Sequence, residues 1–314
     1  MRIVFLGTGE IGVPSLRALA SGQEHQVLAV YTQPDKPGGR DLKLRPTPIK
    51  AEAQKLGLPV SQPEKIRLPA VVEELRALQP DVIVVVAYGQ ILPKSILEIP
   101  RLACLNIHAS LLPRHRGASP INAAILSGDA QSGITVMYMD VGLDTGDILL
   151  MAPTPLGRHE TAGALHDRLA GLAPGVLTLA LALLERGEAP RVPQDNSLAT
   201  YASKMSRADG LIDWSLEAVE IGRRVRGMVP WPGAYTNIVE EGAPPSLLKV
   251  HAALICRRCS GEVGRILRAD SRGILVGAGA GAVLLREVQA AGGRRMKAAE
   301  FLRGRALSPG TLLQ

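Results

Sequence analysis

The sequence predicts two domains, an α/β domain on a doubly wound parallel sheet and then a smaller β-rich domain. Three observations lead there. Over the first 190 or so residues, apolar runs alternate with amphipathic stretches of helical spacing. One run, Val82-Ile-Val-Val-Val-Ala87, shows no polar alternation, which suits a parallel-sheet strand buried on both faces. Beyond residue 209, short β-prone runs are separated by Gly, Ser or Asp, the pattern of a small barrel or sandwich. At 314 residues the chain is also long for one hydrophobic core.

In chain order, strands are expected at 2–6, 26–32, 82–87, 104–108 and 134–139, and helices at 15–20, 49–56, 70–78 and 120–127. Such alternation implies right-handed crossovers and double winding. Residues 161–186 have helical spacing but contain Pro174, which lacks a backbone donor, so two helices are expected there. Residues 33–48 hold four prolines, two glycines and the cations Lys36, Arg40, Lys43 and Arg45, and read as a long functional loop. Residues 188–197 read as linker. The expected division is 1–189 as catalytic domain, 190–208 as linker and 209–314 as second domain. In the latter a helix is expected at 216–226, halted by Pro230-Trp-Pro232, with strands at 247–254, 264–267, 274–277 and 282–288.

A hydrophobic content of 46% supports packed cores and argues against disorder. The N-terminus lacks a signal-peptide pattern, and the longest apolar stretch, 176–184, is about half a bilayer span, so a cytoplasmic protein with no membrane and no obligatory protein partner is expected. Cys104, Cys256 and Cys259 make no disulfide framework, which suits a reducing compartment. Cys256-x-x-Cys259 is half of a zinc pattern without its second half, and no metal is expected. The net charge of +7 is concentrated: residues 249–305 carry 12 basic and 4 acidic side chains, a candidate footprint for nucleic acid.

Two site signals compete. Gly7-Thr-Gly9-Glu-Ile-Gly12 follows a strand and opens a helix, with Asp35 after the second strand, which by itself suggests a dinucleotide site. The second signal is Asn106-Ile-His108, where strand parity presents an amide and an imidazole on one face near the strand's carboxyl end. The loop Ala109-Ser-Leu-Leu-Pro-Arg-His-Arg-Gly117 follows, and then Val141-Gly142-Leu143-Asp144-Thr145-Gly146-Asp147, whose glycines admit a flat ligand and whose carboxylates can handle protons. Cys104 shares the face of Asn106 and His108 and reads as packing.

Asn-x-His-x-Ser-Leu-Leu-Pro-Arg followed by Leu-Asp-Thr-Gly-Asp resembles the folate-dependent formyltransferases. Gln33-Pro-Asp-Lys, Val86-Ala-Tyr-Gly-Gln-Ile-Leu-Pro93, Thr200-Tyr-Ala-Ser-Lys204, Ile212-Asp-Trp-Ser215, Pro230-Trp-Pro232 and Phe301-Leu-Arg-Gly-Arg305 resemble the branch acting on methionyl-tRNA. His115 and Val141 depart from the family pattern, where an aromatic and an acidic residue are expected. The resemblance covers nearly the whole chain. It implies a Rossmann-like first half that binds no NAD, an OB-like β-barrel second half, 10-formyltetrahydrofolate as co-substrate and initiator methionyl-tRNA as acceptor. It also implies catalysis by Asn106, His108 and Asp144. The folate is expected against Tyr88, Gly89, Gln90, Ile91, Leu92, Ser110, Leu111, Leu112, Pro113, Val141, Gly142 and Leu143. The tRNA is expected against Arg40, Lys43, Arg45, Arg294, Arg295 and Lys297.

Overall fold

The computed structural model describes residues 1–38 and 43–314. The chain divides into two compact units, Met1–Pro120 with Gln131–Pro155 and His166–Ala202, and Ile121–Ala130 with Leu156–Leu165 and Ser203–Gln314.

Through Ala202 the elements run β1 (Arg2–Gly7), α1 (Val13–Ser21), β2 (Gln26–Tyr31), β3 (Lys36–Gly38), β4 (Lys43–Arg45), α2 (Pro48–Lys55), β5 (Val60–Ser61), α3 (Pro69–Ala77), β6 (Val82–Val86) and α4 (Lys94–Leu97). They continue with β7 (Ala103–His108), β8 (Arg116–Gly117), α5 (Pro120–Ser127), β9 (Gln131–Tyr138), β10 (Ile148–Pro155), α6 (Ala162–Glu185) and β11 (Tyr201–Ala202). The main sheet has the order β10-β9-β7-β6-β1-β2-β5. All five residues of β6 are buried, as its unbroken apolar run requires, and each valine withdrawn from water contributes about 1.5–3 kcal/mol. α2 begins where Thr47 accepts a hydrogen bond from the Lys50 N–H and Pro48 occupies the first turn.

Several expectations change. The strands from β5 to β7 are parallel, but β9 and β10 run antiparallel at the other edge. The reason is that the chain re-enters the sheet at β9 from the end where β7 stopped, with His108 opposite Thr135. Within the expected irregular segment, β3 and β4 form an antiparallel ladder pairing Lys36 with Arg45; Arg40 lies outside the described residues.

α6 is one helix, not two. Its stripe of Leu165, Leu169, Ala173, Leu177 and Leu181 is buried at 1% exposure or less. Burial of that stripe outweighs the roughly 3 kcal/mol that an interior proline costs. At 24 residues it has the length and apolar character of a bilayer span, but its buried stripe is that of a core helix.

The expected linker also dissolves. Residues 190–202 lie in the first unit, where β11 pairs with β8. Most of α5 belongs to the second, where Asn122 Nδ2 donates to the Gly227 carbonyl (2.7 Å).

The second unit adds α7 (Ala218–Gly227), β12 (Ala234–Val239), β13 (Ser246–Cys256), β14 (Ile266–Asp270), β15 (Gly273–Gly277), β16 (Ala282–Ala290), β17 (Met296–Lys297), α8 (Ala298–Gly304) and β18 (Leu312–Leu313). Strand order is β14-β15-β16-β13-β12-β18, and β18 returns to the start of β14 through Ile266 N–H to the Thr311 carbonyl (2.9 Å) and Leu313 N–H to the Gly264 carbonyl (2.7 Å). The sheet thereby nearly closes on itself as an antiparallel barrel. Its interior includes Val250, Ile274, Val276, Val283 and Leu285, with Trp214, Ile221, Val225 and Phe301 packed into the same core. Trp214 is buried with its Nε1 donating to Thr236 Oγ1 (3.0 Å), so its polar edge is satisfied.

Pro174→Ala restores a donor to the Ala170 carbonyl, and the helical gain exceeds the entropy returned to the unfolded chain. The variant is expected to be more stable by about 1–2 kcal/mol, read as a higher midpoint in scanning calorimetry.

Candidate active site

β7 delivers Asn106 and His108 on one face, and the loop joining β9 to β10 brings Asp144 against them. That loop is shaped locally. Asp140 accepts from the Gly142 N–H (3.0 Å) and the Thr145 hydroxyl (2.7 Å), an Asx turn, and a Cβ on Gly146 would stand 1.9 Å from the Tyr138 carbonyl oxygen. Asp144 itself has a φ of 54°, in the left-handed region. Its Oδ1 accepts from Asn106 Nδ2 (3.2 Å) and its Oδ2 from the Gly117 N–H (2.8 Å), while Oδ2 lies 3.7 Å from His108 Nδ1.

His108 is buried, with Nε2 2.9 Å from the His115 carbonyl oxygen. A carbonyl only accepts, so this bond puts a hydrogen on Nε2, and in the neutral ring Nδ1 then holds the lone pair, on the Asp144 side. The arrangement can take a proton at Nδ1 and face the resulting imidazolium with a carboxylate. Asn106 has a second amide hydrogen beyond the one given to Asp144, suited to an oxygen that gains charge.

The segment expected to be linker organises this site. Arg116 N–H donates to the Thr200 carbonyl (2.8 Å), Ala118 N–H to the Ala202 carbonyl (2.9 Å), and His115 N–H to Thr200 Oγ1 (2.9 Å). These bonds hold 115–118 so that the His115 carbonyl meets His108 and the Gly117 N–H meets Asp144. Gly117 is required: its φ is 112°, and a Cβ would stand 2.7 Å from the Ala202 carbonyl oxygen. His115, at φ 59°, is buried and acts through its backbone and Thr200. The sequence carried no signal for Thr200 or His115 beyond their place in the resemblance motifs.

The residues expected around the folate separate into two groups. Tyr88 and Leu92 belong to the core under the sheet. Leu112 packs with Met137 and Ile148, and the Leu112–Pro113 peptide is cis. The Ser110 hydroxyl turns back to the Arg114 carbonyl (2.6 Å), and Gln90 accepts from the Ile66 N–H (2.7 Å). The fold itself uses these side chains. Burial pushes the Tyr88 phenol up to about 12. Leu111 and Pro113 are half-buried, and Gly89 and Gly142 are exposed. Ile91, Val141 and Leu143 are 87%, 74% and 57% exposed, apolar surface on two of the loops expected to hold the folate.

The turn after β1 is accounted for by packing. A Cβ on Gly7 would stand 2.7 Å from the Phe5 ring, and the Asp35 carboxylate is taken by Lys50 Nζ (2.6 Å) and Gln62 Nε2 (2.7 Å). The Lys50 hydrogen bond holds Asp35 below the usual carboxylate range. Cys104 is buried, its thiol pushed up to about 12 and its Sγ 3.7 Å from Met139 Sδ, so it is packing and not a nucleophile at neutral pH.

Cys256 and Cys259, read from the sequence as half of a zinc pattern outside any disulfide framework, form a disulfide with their Cα atoms 5.5 Å apart. Arg294 and Arg295 are paired with Glu300 and Glu287, so these two cations, expected to meet phosphate, are neutralised locally. Lys43, Arg45 and Lys297 are exposed.

The formyl transferase family model matches residues 1–181, and that of the formyl transferase C-terminal domain matches 204–306. A methionyl-tRNA formyltransferase of Geobacter sulfurreducens is 50% identical over 100% of this chain and 96% of its own length. The chain belongs to the formyl transferase family. A second methionyl-tRNA formyltransferase, from Methylacidiphilum infernorum, is 47% identical over 100% of this chain and 98% of its own. Among solved structures, HypX from Aquifex aeolicus in complex with tetrahydrofolic acid shares the fold at a TM-score of 0.61 and 18% identity, over 96% of this chain and 47% of that one. An N-formyltransferase from Helicobacter canadensis, in complex with folinic acid and dTDP-3-aminofucose, does so at 0.63 and 16%, over 90% and 98%.

In this formyl transferase, Gly117→Ala is expected to cost about 1–3 kcal/mol of stability through the strained φ and the clash with Ala202. Thermal unfolding checks it, and a midpoint within about 1 °C of the parent counts against the contact.

Proposed function

We propose that the protein transfers the formyl group of 10-formyltetrahydrofolate to the α-amine of methionine esterified to initiator tRNA. One observation carries the reading beyond family membership. Asn106 and Asp144 are hydrogen-bonded, with His108 Nδ1 3.7 Å from the same carboxylate, in a chain 50% identical end to end to a methionyl-tRNA formyltransferase. The amine attacks the formyl carbon, the carbonyl oxygen gains charge and the folate nitrogen departs with a proton. Asn106 offers its second N–H to that oxygen, help worth about 10²–10³ in rate. His108 Nδ1 takes the proton shed by the amine and returns it to the leaving nitrogen, while Asp144 faces the cation, worth about 10²–10⁴.

The folate's flat ring lies against Ile91, Val141 and Leu143, with the backbones of Gly89 and Gly142 free to approach. The tRNA meets the 33–48 segment and the basic second unit. There Arg257, Arg258, Arg286 and Lys297 are exposed and, among the described residues, in no ion pair. Charged tRNA and a folate donor place the activity in the cytoplasm, without need of a membrane or a protein partner.

Formyl-methionine formation by purified protein from the folate donor and charged initiator tRNA tests the reading. Asn106→Ala, His108→Ala and Asp144→Asn are each expected to lower kcat by at least about a hundredfold. Near-parental turnover in Asp144→Asn removes the proton role. For the acceptor, Arg257→Ala/Arg258→Ala is expected to raise KM for tRNA and flatten its salt dependence by roughly one log–log unit per lost contact. Arg294→Ala/Arg295→Ala, whose cations are already paired, is expected to do less; the reverse ranking in steady-state kinetics at two salt concentrations refutes this placement.

A further inference from the structure

Arg116 is a buried cation without a counter-ion: it is 2% exposed, and among the described residues no carboxylate pairs with it. Its Nε and Nη2 donate to Gln194 Oε1 at 3.2 and 2.8 Å, and Nη2 also to Asn196 Oδ1 at 2.8 Å. The same Gln194 side chain turns its Nε2 the other way, donating to the carbonyls of Asp144 (2.8 Å) and Gly146 (2.7 Å). The amide orientation is forced, since a flip would set its oxygen against two carbonyl oxygens and its NH2 against a guanidinium. The segment is in turn pinned to β10 by the two bonds between Val192 and Ile148 (2.8 and 3.0 Å).

Resting on the assignment of Asp144 above, we propose that Gln194 is a positioning residue for the transfer step, holding the Asp144 backbone in its left-handed conformation. Asp144 sits at φ 54°, which its own Cβ disfavours, and one amide grips the carbonyl of Asp144 and that of Gly146 two residues on. Those two bonds set where the carboxylate emerges relative to Asn106 and His108. Arg116 fixes the gripping amide, because a desolvated guanidinium holds its acceptor strongly. Gln194 touches no substrate; it acts through Asp144.

The test separates the grip on the loop from the contact with Arg116, using the full chain and steady-state formylation. Gln194→Glu keeps volume and still accepts from Arg116, but replaces the NH2 that serves both loop carbonyls with one oxygen facing them. Its kcat is expected to fall at least about tenfold, since displacement of a reacting group by ~1 Å costs about a hundredfold. Both KM values stay within about threefold and the thermal midpoint is kept. Asn196→Asp gives Arg116 a carboxylate without touching the loop, and its kcat is expected to stay within about twofold of the parent. Gln194→Glu within about twofold of the parent, or an equal fall in Asn196→Asp, overturns the proposal. If Gln194→Glu shows no cooperative melt, Gln194→Met/Asn196→Asp keeps Arg116 paired while lacking the donors and carries the same expectation. Failure of both to fold makes Gln194 purely structural and also overturns it. An inactive parent chain refutes the proposed function itself, and a fully active Asp144→Asn refutes the role of Asp144, so the three failures are distinct.

Discussion

The Asp144 carboxylate joins parts of the chain that share no local sequence. One oxygen takes the Asn106 amide from β7, and the other takes the Gly117 N–H from the loop after that strand. His108 Nδ1 faces the same carboxylate from 3.7 Å. A carboxylate has acceptor sites for both donors and a negative charge to face the imidazole once that ring takes a proton, which a neutral amide could not supply. The constraint extends outward. Asp144 must hold a left-handed backbone, Gly117 must lack a Cβ, and 115–118 must be strapped to Thr200 and Ala202.

Charge is used differently in the two units. In the first, a cation is buried among amide oxygens at Arg116, where its solvation is replaced by fixed dipoles and the resulting hydrogen bonds are strong and directional. In the second, a basic surface covers a barrel core that is mostly aliphatic, with Trp214 and Phe301 packed into it. Part of that basic charge is spent internally: Arg265, Arg268, Arg294, Arg295 and Arg305 each meet a carboxylate. The number of cations therefore overstates the charge left unmatched, and among the described residues Arg257 and Arg258 meet no carboxylate.

Elements whose identity depends on local pattern were legible. β6 reads as a strand because five consecutive apolar β-branched residues can only be satisfied between two covered faces. Asn106 and His108 read as a pair because strand parity is a property of the backbone. Failures came where distant burial overrides local preference. Pro174 argues for a break, yet the buried stripe of α6 carries the helix through it. Tyr88, Leu92 and Leu112 sit in hydrophobic clusters that local pattern did not mark, because a side chain's direction depends on what lies beneath its loop.

The amino-acid order by itself determined five of the seven strands of the main sheet, the presence of a β-rich second domain, the Asn106–His108 pair and the formyltransferase motifs. Each of these is encoded within a few consecutive residues. Only the tertiary structure decided that 190–202 braces the candidate active site, that α5 belongs mainly with the barrel, and that Gln194 grips the Asp144 loop. Those outcomes depend on hydrogen bonds between distant residues, such as Gln194 with Asp144, Thr200 with His115 and Asn122 with Gly227, which are 50, 85 and 105 positions apart. A backbone donor or carbonyl is chemically the same at every position, so no local pattern marks which of them a distant side chain will find.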